Sequence, residues 1–154
     1  MGALMSKWGL AVAVCLSIVR SNSSTQSTDP KAMLAAAKSL RCQFPSGGAM
    51  ILGDSNPHYE RGRGVDGVFD DIDRRNGTAR VIGSAGAGDV QVIAGSESLT
   101  FIELTPIGFP LVTVVFASFR PGSQELLASD SHHAMINAHK VVVEQYYGSC
   151  RVLQ

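Results

Sequence analysis

From Ser98 to Phe119 the chain runs Ser-Leu-Thr-Phe-Ile-Glu-Leu-Thr-Pro-Ile-Gly-Phe-Pro-Leu-Val-Thr-Val-Val-Phe-Ala-Ser-Phe, concentrating residues that favour extended backbone. The pattern predicts two strands, Leu99–Thr105 and Leu111–Phe119, joined by a turn containing proline and glycine. Side chains alternate across a strand, so Leu99, Phe101, Glu103 and Thr105 share one face, and Thr100, Ile102 and Leu104 the other. On the second strand Leu111, Thr113, Val115, Ala117 and Phe119 oppose Val112, Val114, Phe116 and Ser118. Neither strand is polar along one side, and the expectation is that both faces are covered.

The remaining pattern is one of short strands and brief turns. Asp29 or Thr28 caps a short helix that starts at Pro30 and carries Met33, Leu34, Ala37 and Leu40 on one stripe, set against an outer face of the central hairpin; a flexible linker is the alternative for residues 25–39. Leu40–Phe44 reads as a strand, and Asp54–Gly64 as an exposed loop. Gly67–Asp73 and Thr78–Ile82 pair across a tight turn at Arg75-Asn76-Gly77. Strands follow at Asp89–Ala94 and Gln124–Ser129, then an irregular or short helical stretch from Asp130 to Lys140, then strands at Val141–Gln145 and Tyr146–Leu153. Sequential short turns make neighbours in sequence neighbours in space. The predicted fold is all-β, an antiparallel meander forming a small closed or nearly closed barrel over residues 40–154, with a two-sheet sandwich as the alternative. Strands of five to eight residues are short for a bilayer-spanning barrel, which needs about 9–11.

The start of the chain has a different character. Lys7 precedes a mostly apolar run from Trp8 to Val19, and Ser21, Asn22, Ser23 and Ser24 supply small polar residues for cleavage. Residues 1–24 therefore read as a secretory signal peptide, and the mature protein as periplasmic or secreted. A spanning helix needs about 20 apolar residues, and this run stops at Arg20. Cleavage removes two bases and no acid, leaving 13 acidic residues against 11 basic ones, a mildly acidic chain. Balanced charge gives no electrostatic case for a nucleic-acid partner.

Export also accounts for an odd number of cysteines. Cys15 leaves with the leader, and Cys42 and Cys150 remain as an even pair. In an oxidising compartment the simplest reading is a disulfide closing about 108 residues, which chain entropy rates at roughly 4.5–5 kcal/mol. Two unrelated buried thiols are the alternative. Neither cysteine has a second ligand at metal-site spacing, so no metal and no cofactor is expected.

Candidate chemistry is sparse. Gly83-Ser84-Ala85-Gly86-Ala87-Gly88 resembles a phosphate loop only until Asp89, where an alternating strand pattern replaces the helix such a loop requires; it reads as a turn. Asp70-Asp71-Ile72-Asp73 reads as a solvated strand end neutralised by Arg74 and Arg75. Asp130-Ser131-His132-His133, with His139 beyond, reads first as a surface loop, with ligand contact or catalysis as the sharper alternatives. Three near neighbours cannot assemble a nucleophilic triad from Ser131, a histidine and Asp130. Tyr146 and Tyr147 fall on opposite faces beside Cys150, one in the core and the other lining a cavity or an interface.

The segments Phe69-Asp-Asp-Ile-Asp, Thr78-Ala-Arg-Val-Ile-Gly, Leu99-Thr-Phe-Ile-Glu-Leu-Thr, Val115-Phe116 and Gln145-Tyr-Tyr-Gly-Ser-Cys150 resemble those of a group of small exported bacterial β-proteins without assigned function. The resemblance spans Cys42 to Cys150 and implies a periplasmic or secreted home and a paired cysteine framework. This chain departs from the group at His132, where an arginine is usual, and at Val114, where a second threonine is usual.

The function these readings suggest is a non-enzymatic exported β-domain that binds a small amphipathic molecule or a cell-envelope protein, or pairs with a second copy. Phe101, His133, Tyr146 and Tyr147 are the candidate ligand-lining residues. A histidine-dependent hydrolase or metal enzyme built on Asp130, Ser131, His132 and His133 is the competing reading, and an inhibitor of an envelope enzyme a third.

Overall fold

The structure, a computed structural model, describes residues 28–53, 56–84 and 86–153. The expected leader, with Cys15, lies outside the described residues. In chain order the elements are α1 (Pro30–Ala36), β1 (Leu40–Leu52), β2 (His58–Arg61), β3 (Val65–Asp73), β4 (Thr78–Gly83), β5 (Gly86–Ala94), β6 (Ser98–Leu104), β7 (Pro110–Phe119), β8 (Leu126–Asn137) and β9 (Lys140–Val152). Every strand from β3 onward pairs antiparallel with the next, and β1 pairs with both β3 and β9. Eight strands thus close into a barrel, as the meander pattern predicted. The ninth, β2, lies against the second half of β1, pairing Gly48 with Arg61 through Ile51 with His58.

The closing seam carries the covalent link. Cys42 and Cys150 stand directly opposite each other on β1 and β9 and form a disulfide. The strands approach so closely here that a Cβ on Gly148 would sit 1.8 Å from the carbonyl oxygen of Gln43, and one on Gly47 2.3 Å from that of Gln145. Only glycine fits at either position, and between them the register slips, from Gln43 opposite Ser149 to Ser46 opposite Tyr147.

Several elements differ from the sequence pattern. The stretch from Asp130 to Lys140 is neither irregular nor helical: through Asn137 it completes β8, which pairs with β7 on one side and β9 on the other, and a two-residue turn then leads into β9 at Lys140. Its polar residues have little intrinsic strand preference, and the two flanking strands impose the extended form. The two expected C-terminal strands are one, and β1 continues eight residues beyond Phe44. With 12 or 13 residues each, β1, β8 and β9 exceed the five to eight expected, so strand length does not separate this barrel from a membrane-spanning one. Side-chain chemistry bears on that point instead. Asp70, Arg80 and Asp89 form one cross-strand row facing outward, and Arg41 and Arg151 another, unlike an apolar lipid-facing band. No helix among the described residues is long and apolar enough to cross a membrane.

The turn between β3 and β4 is wider than a two-residue hairpin. Asp73 accepts hydrogen bonds from the backbone N–H groups of Arg75 and Asn76, at 2.9 and 3.0 Å, and from the Asn76 side chain at 2.7 Å, while Gly77 alone takes positive φ. These bonds hold the Asp73 carboxyl below its ordinary pKa. Asp71, at φ 51°, marks an irregularity in the β3–β4 pairing that turns Ile72 into the core, with its N–H bonded to the Lys38 carbonyl. The acidic run is therefore turn architecture.

Helix α1 does not lie on the outside of the hairpin. Asp29 caps it, accepting from the N–H groups of Lys31 and Ala32, and Pro30 opens its first turn. Met33, Leu34 and Ala37 are buried in the same core as Leu40, Leu99, Val115 and Leu126. Arg74 donates to the carbonyls of Leu34 and Ala35, and Lys31 meets Glu97, so the helix spans the turns that join β3 to β4 and β5 to β6. It stoppers that end of the barrel. The outer face of the central hairpin stays partly open, with Ile93, Leu104, Phe116 and Tyr147 exposed around it, and no described element covers it. The expectation of two covered faces fails because the closed barrel needs only its inner face to make a core.

Candidate functional site

Three inward-facing rows, registered across β6, β7, β8 and β9, grade the barrel interior from apolar to charged. The deepest is Leu99, Val115, Ala128 and Gly148; the next is Phe101, Thr113, Asp130 and Tyr146; the outermost is Glu103, Leu111, His132 and Glu144. Successive inward residues on a strand stand about 6.6 Å apart. The charged row therefore lies about 13 Å along the strands from the apolar one, toward the end of the barrel that α1 leaves open.

In the deepest part side chains fill the lumen. Phe69 of β3 and Phe101 of β6 reach across from different walls and stack, with centroids 4.0 Å apart and planes 18° from parallel. Above this stack the lumen is hollow. A cavity of about 410 Å³ opens beside the turns joining β4 to β5 and β6 to β7, and Phe44, Val65, Val81, Val90 and Leu111 supply much of its apolar wall. Gly67, Gly86 and Gly88 put bare backbone along one side, which widens the space.

The polar wall is a chain of hydrogen bonds. Thr113 Oγ1 donates to Asp130 Oδ1 at 2.6 Å, as expected of residues directly opposite on neighbouring strands. Asp130 Oδ2 lies 2.7 Å from His132 Nε2, and His132 Nδ1 lies 3.2 Å from Glu144 Oε2. Asp130 and His132 are two apart on β8 and so share a face, while His132 and Glu144 are a cross-strand pair. Tyr146 sits edge-on to the imidazole at 5.9 Å between centroids. The hydrogen bond to Asp130 is the main influence raising the His132 pKa, and the charges of Asp130 and Glu144 act in the same direction against partial burial. Both carboxylates favour the protonated imidazole, which can donate one N–H to each. Burial raises the pKa of Tyr146, so its hydroxyl stays neutral.

The structure separates the four residues expected to line a site. Phe101, 1 % exposed, is in the cavity. Tyr146 is buried one step behind it, and its ring packs over Gly62 and Gly47. His133 and Tyr147 are exposed on the outer wall, on the strand parity opposite to His132 and Tyr146. The histidine of the lumen is His132, because β8 runs unbroken through it. Once Leu126, Ala128, Asp130 and His132 are seen as alternate residues of one strand, the inward face follows. Glu103, Thr113 and Glu144 were legible only as partners of that face.

Hydrolytic chemistry finds no relay here. Ser131 faces outward, opposite Val112 and Gln145. The Thr113 hydroxyl gives its proton to Asp130 rather than to an imidazole nitrogen, and both nitrogens of His132 are engaged by carboxylates. Neither nitrogen is therefore aimed at the Thr113 or Ser131 hydroxyl. Among the described residues no three His, Cys, Asp or Glu side chains are placed to hold a metal ion. Searches against family models, curated proteins and solved structures give no match to this chain.

Proposed function

We propose that the protein is an exported, non-enzymatic β-barrel that holds the apolar part of a small amphipathic molecule in its lumen. The observation that carries this reading is the cavity of about 410 Å³, apolar at its floor and polar along one wall. That volume falls within the range of sites for small ligands, about 300–1,000 Å³. A stapled, stoppered barrel that left such a space unfilled for no purpose would forgo the packing that filling it would supply. Export gives the Cys42–Cys150 disulfide a compartment in which it persists. His132, the one histidine among the described residues lining the cavity, has both nitrogens against carboxylates, which favours holding a ligand over transforming one.

Gly88 offers a clean test. A Cβ there points into the cavity and meets Glu103 Oε1 at 3.4 Å and a Val81 methyl at 3.8 Å, both ordinary contacts with side chains. Gly88→Val occupies the lumen without disturbing the backbone. The native chain is expected to bind N-phenyl-1-naphthylamine saturably, with blue-shifted fluorescence displaced by 1-octanol. Gly88→Val should lose at least about tenfold in affinity while melting no lower, since valine suits a strand better than glycine. Equal binding by the two proteins, or no saturable signal from the native chain, refutes the lumen as the site. The export half of the reading is checked separately. Expressed with its first 24 residues, the chain should be recovered outside the cytoplasm in shortened form with no free thiol.

A further inference from the structure

Resting on the reading of the lumen as a binding site, we infer that the ligand is an amphipathic cation, an alkyl or aromatic ammonium whose charged head is held at the mouth by Glu103. Glu103 is half-buried on the inner face of β6, borders the cavity, and makes no hydrogen bond or ion pair with any described residue. Its neighbours do not supply the missing charge. Among the described residues no lysine or arginine lines the cavity, whereas Asp130 joins Glu103 there as an inward carboxylate. The one basic side chain among the described residues lining the cavity, His132, is already shared between Asp130 and Glu144.

The requirements on the ligand follow from this geometry. An unpaired carboxylate at the edge of an apolar space accepts hydrogen bonds and gives none. A cationic donor matches it, a neutral hydroxyl matches it weakly, and an anion is repelled by it. Directly below, the stacked Phe69 and Phe101 present aromatic carbon to whatever follows the head group. Their rings favour an apolar tail and also attract a cation that sinks deeper. The absence of a side chain at Gly88, 3.4 Å from the Glu103 carboxylate measured at the site a Cβ would occupy, leaves room for the head beside it.

A matched series separates the head from the tail. Calorimetric titration with n-octylammonium, 1-octanol and octanoate at neutral pH compares one tail with three charges. Expected is an octylammonium affinity at least about tenfold above that of octanol, with octanoate weakest, as a charge-assisted hydrogen bond implies. Glu103→Gln should bring octylammonium down to the octanol level and leave octanol unchanged. Glu103→Lys should reverse the order in favour of octanoate, a gain that a misfolded variant could not give. Equal affinity for octylammonium and octanol, or an octylammonium affinity unmoved by Glu103→Gln, overturns the cationic ligand while the lumen remains a binding site. Failure of all three compounds, together with failure of the naphthylamine probe, overturns both.

Discussion

His132 is held between Asp130 and Glu144, and the consequences of that placement are set by charge. Its pKa is raised in the folded protein above the ordinary 6.5, chiefly by the hydrogen bond to Asp130. Linkage then fixes the sign: the folded state binds this proton more tightly than the unfolded chain. The stabilisation is complete below pH 6.5 and disappears as pH rises through the folded-state pKa. A melting profile scanned upward from pH 6.5 should therefore fall in the native protein. In His132→Gln the fall should be absent, because glutamine donates to a carboxylate without titrating. A native profile as flat as that of the variant would show that the imidazole is not charged in the fold. Tyr146 does not interfere, since burial pushes its hydroxyl above 10.0, beyond that window. The residue itself was visible in the sequence, but its role was not. His132 and His133 are chemically identical neighbours, and only the parity of β8 decides which of them sees the lumen.

At the scale of the element, α1 shows a short helix whose existence is local and whose location is not. The Asp29 cap, Pro30 and the alanine-rich sequence are sufficient reasons for seven residues to coil, and they were read from the chain directly. The place where the helix docks depends on the open end of a barrel assembled from residues up to more than a hundred positions away. Leu34 is 5 % exposed and belongs to the core at that end. Leu34→Ala should cost about 2–5 kcal/mol in chemical unfolding, the usual range for emptying a buried leucine site. An effect under about 0.5 kcal/mol, typical of a surface position, would mean that the helix does not seal the barrel. The β3–β4 turn carries the same lesson. Asn76-Gly77 announced a reversal, yet Asp73 and its hydrogen bonds determine the width of the turn.

For the whole molecule, the disulfide ties the first strand of the barrel to the last across 108 residues. The two strands also pair along almost their entire lengths, from Leu40 with Val152 to Leu52 with Val141. The bond therefore restrains the unfolded chain far more than it shapes the folded one. Replacing both cysteines, Cys42→Ser with Cys150→Ser, should lower the unfolding free energy by about 2–5 kcal/mol and leave the far-ultraviolet spectrum of the survivor unchanged. Loss of strand content in the variant, under conditions where it remains folded, would mean that the seam is held by the bond rather than by the ladder.

The sequence by itself determined the fold class, most of the strands and the pairing of Cys42 with Cys150, because each depends on short-range alternation, on turn residues or on cysteine parity. Tertiary structure alone decided that β8 continues through Asp130 and His132, that α1 closes one end, and that the lumen above Phe69 and Phe101 is hollow. Polar residues such as Asp130, Ser131 and His132 carry no strong preference for extended backbone, and β7 and β9 supply it from either side. A cavity likewise has no sequence pattern of its own, since it is the space that eight walls, brought together only by folding, fail to fill.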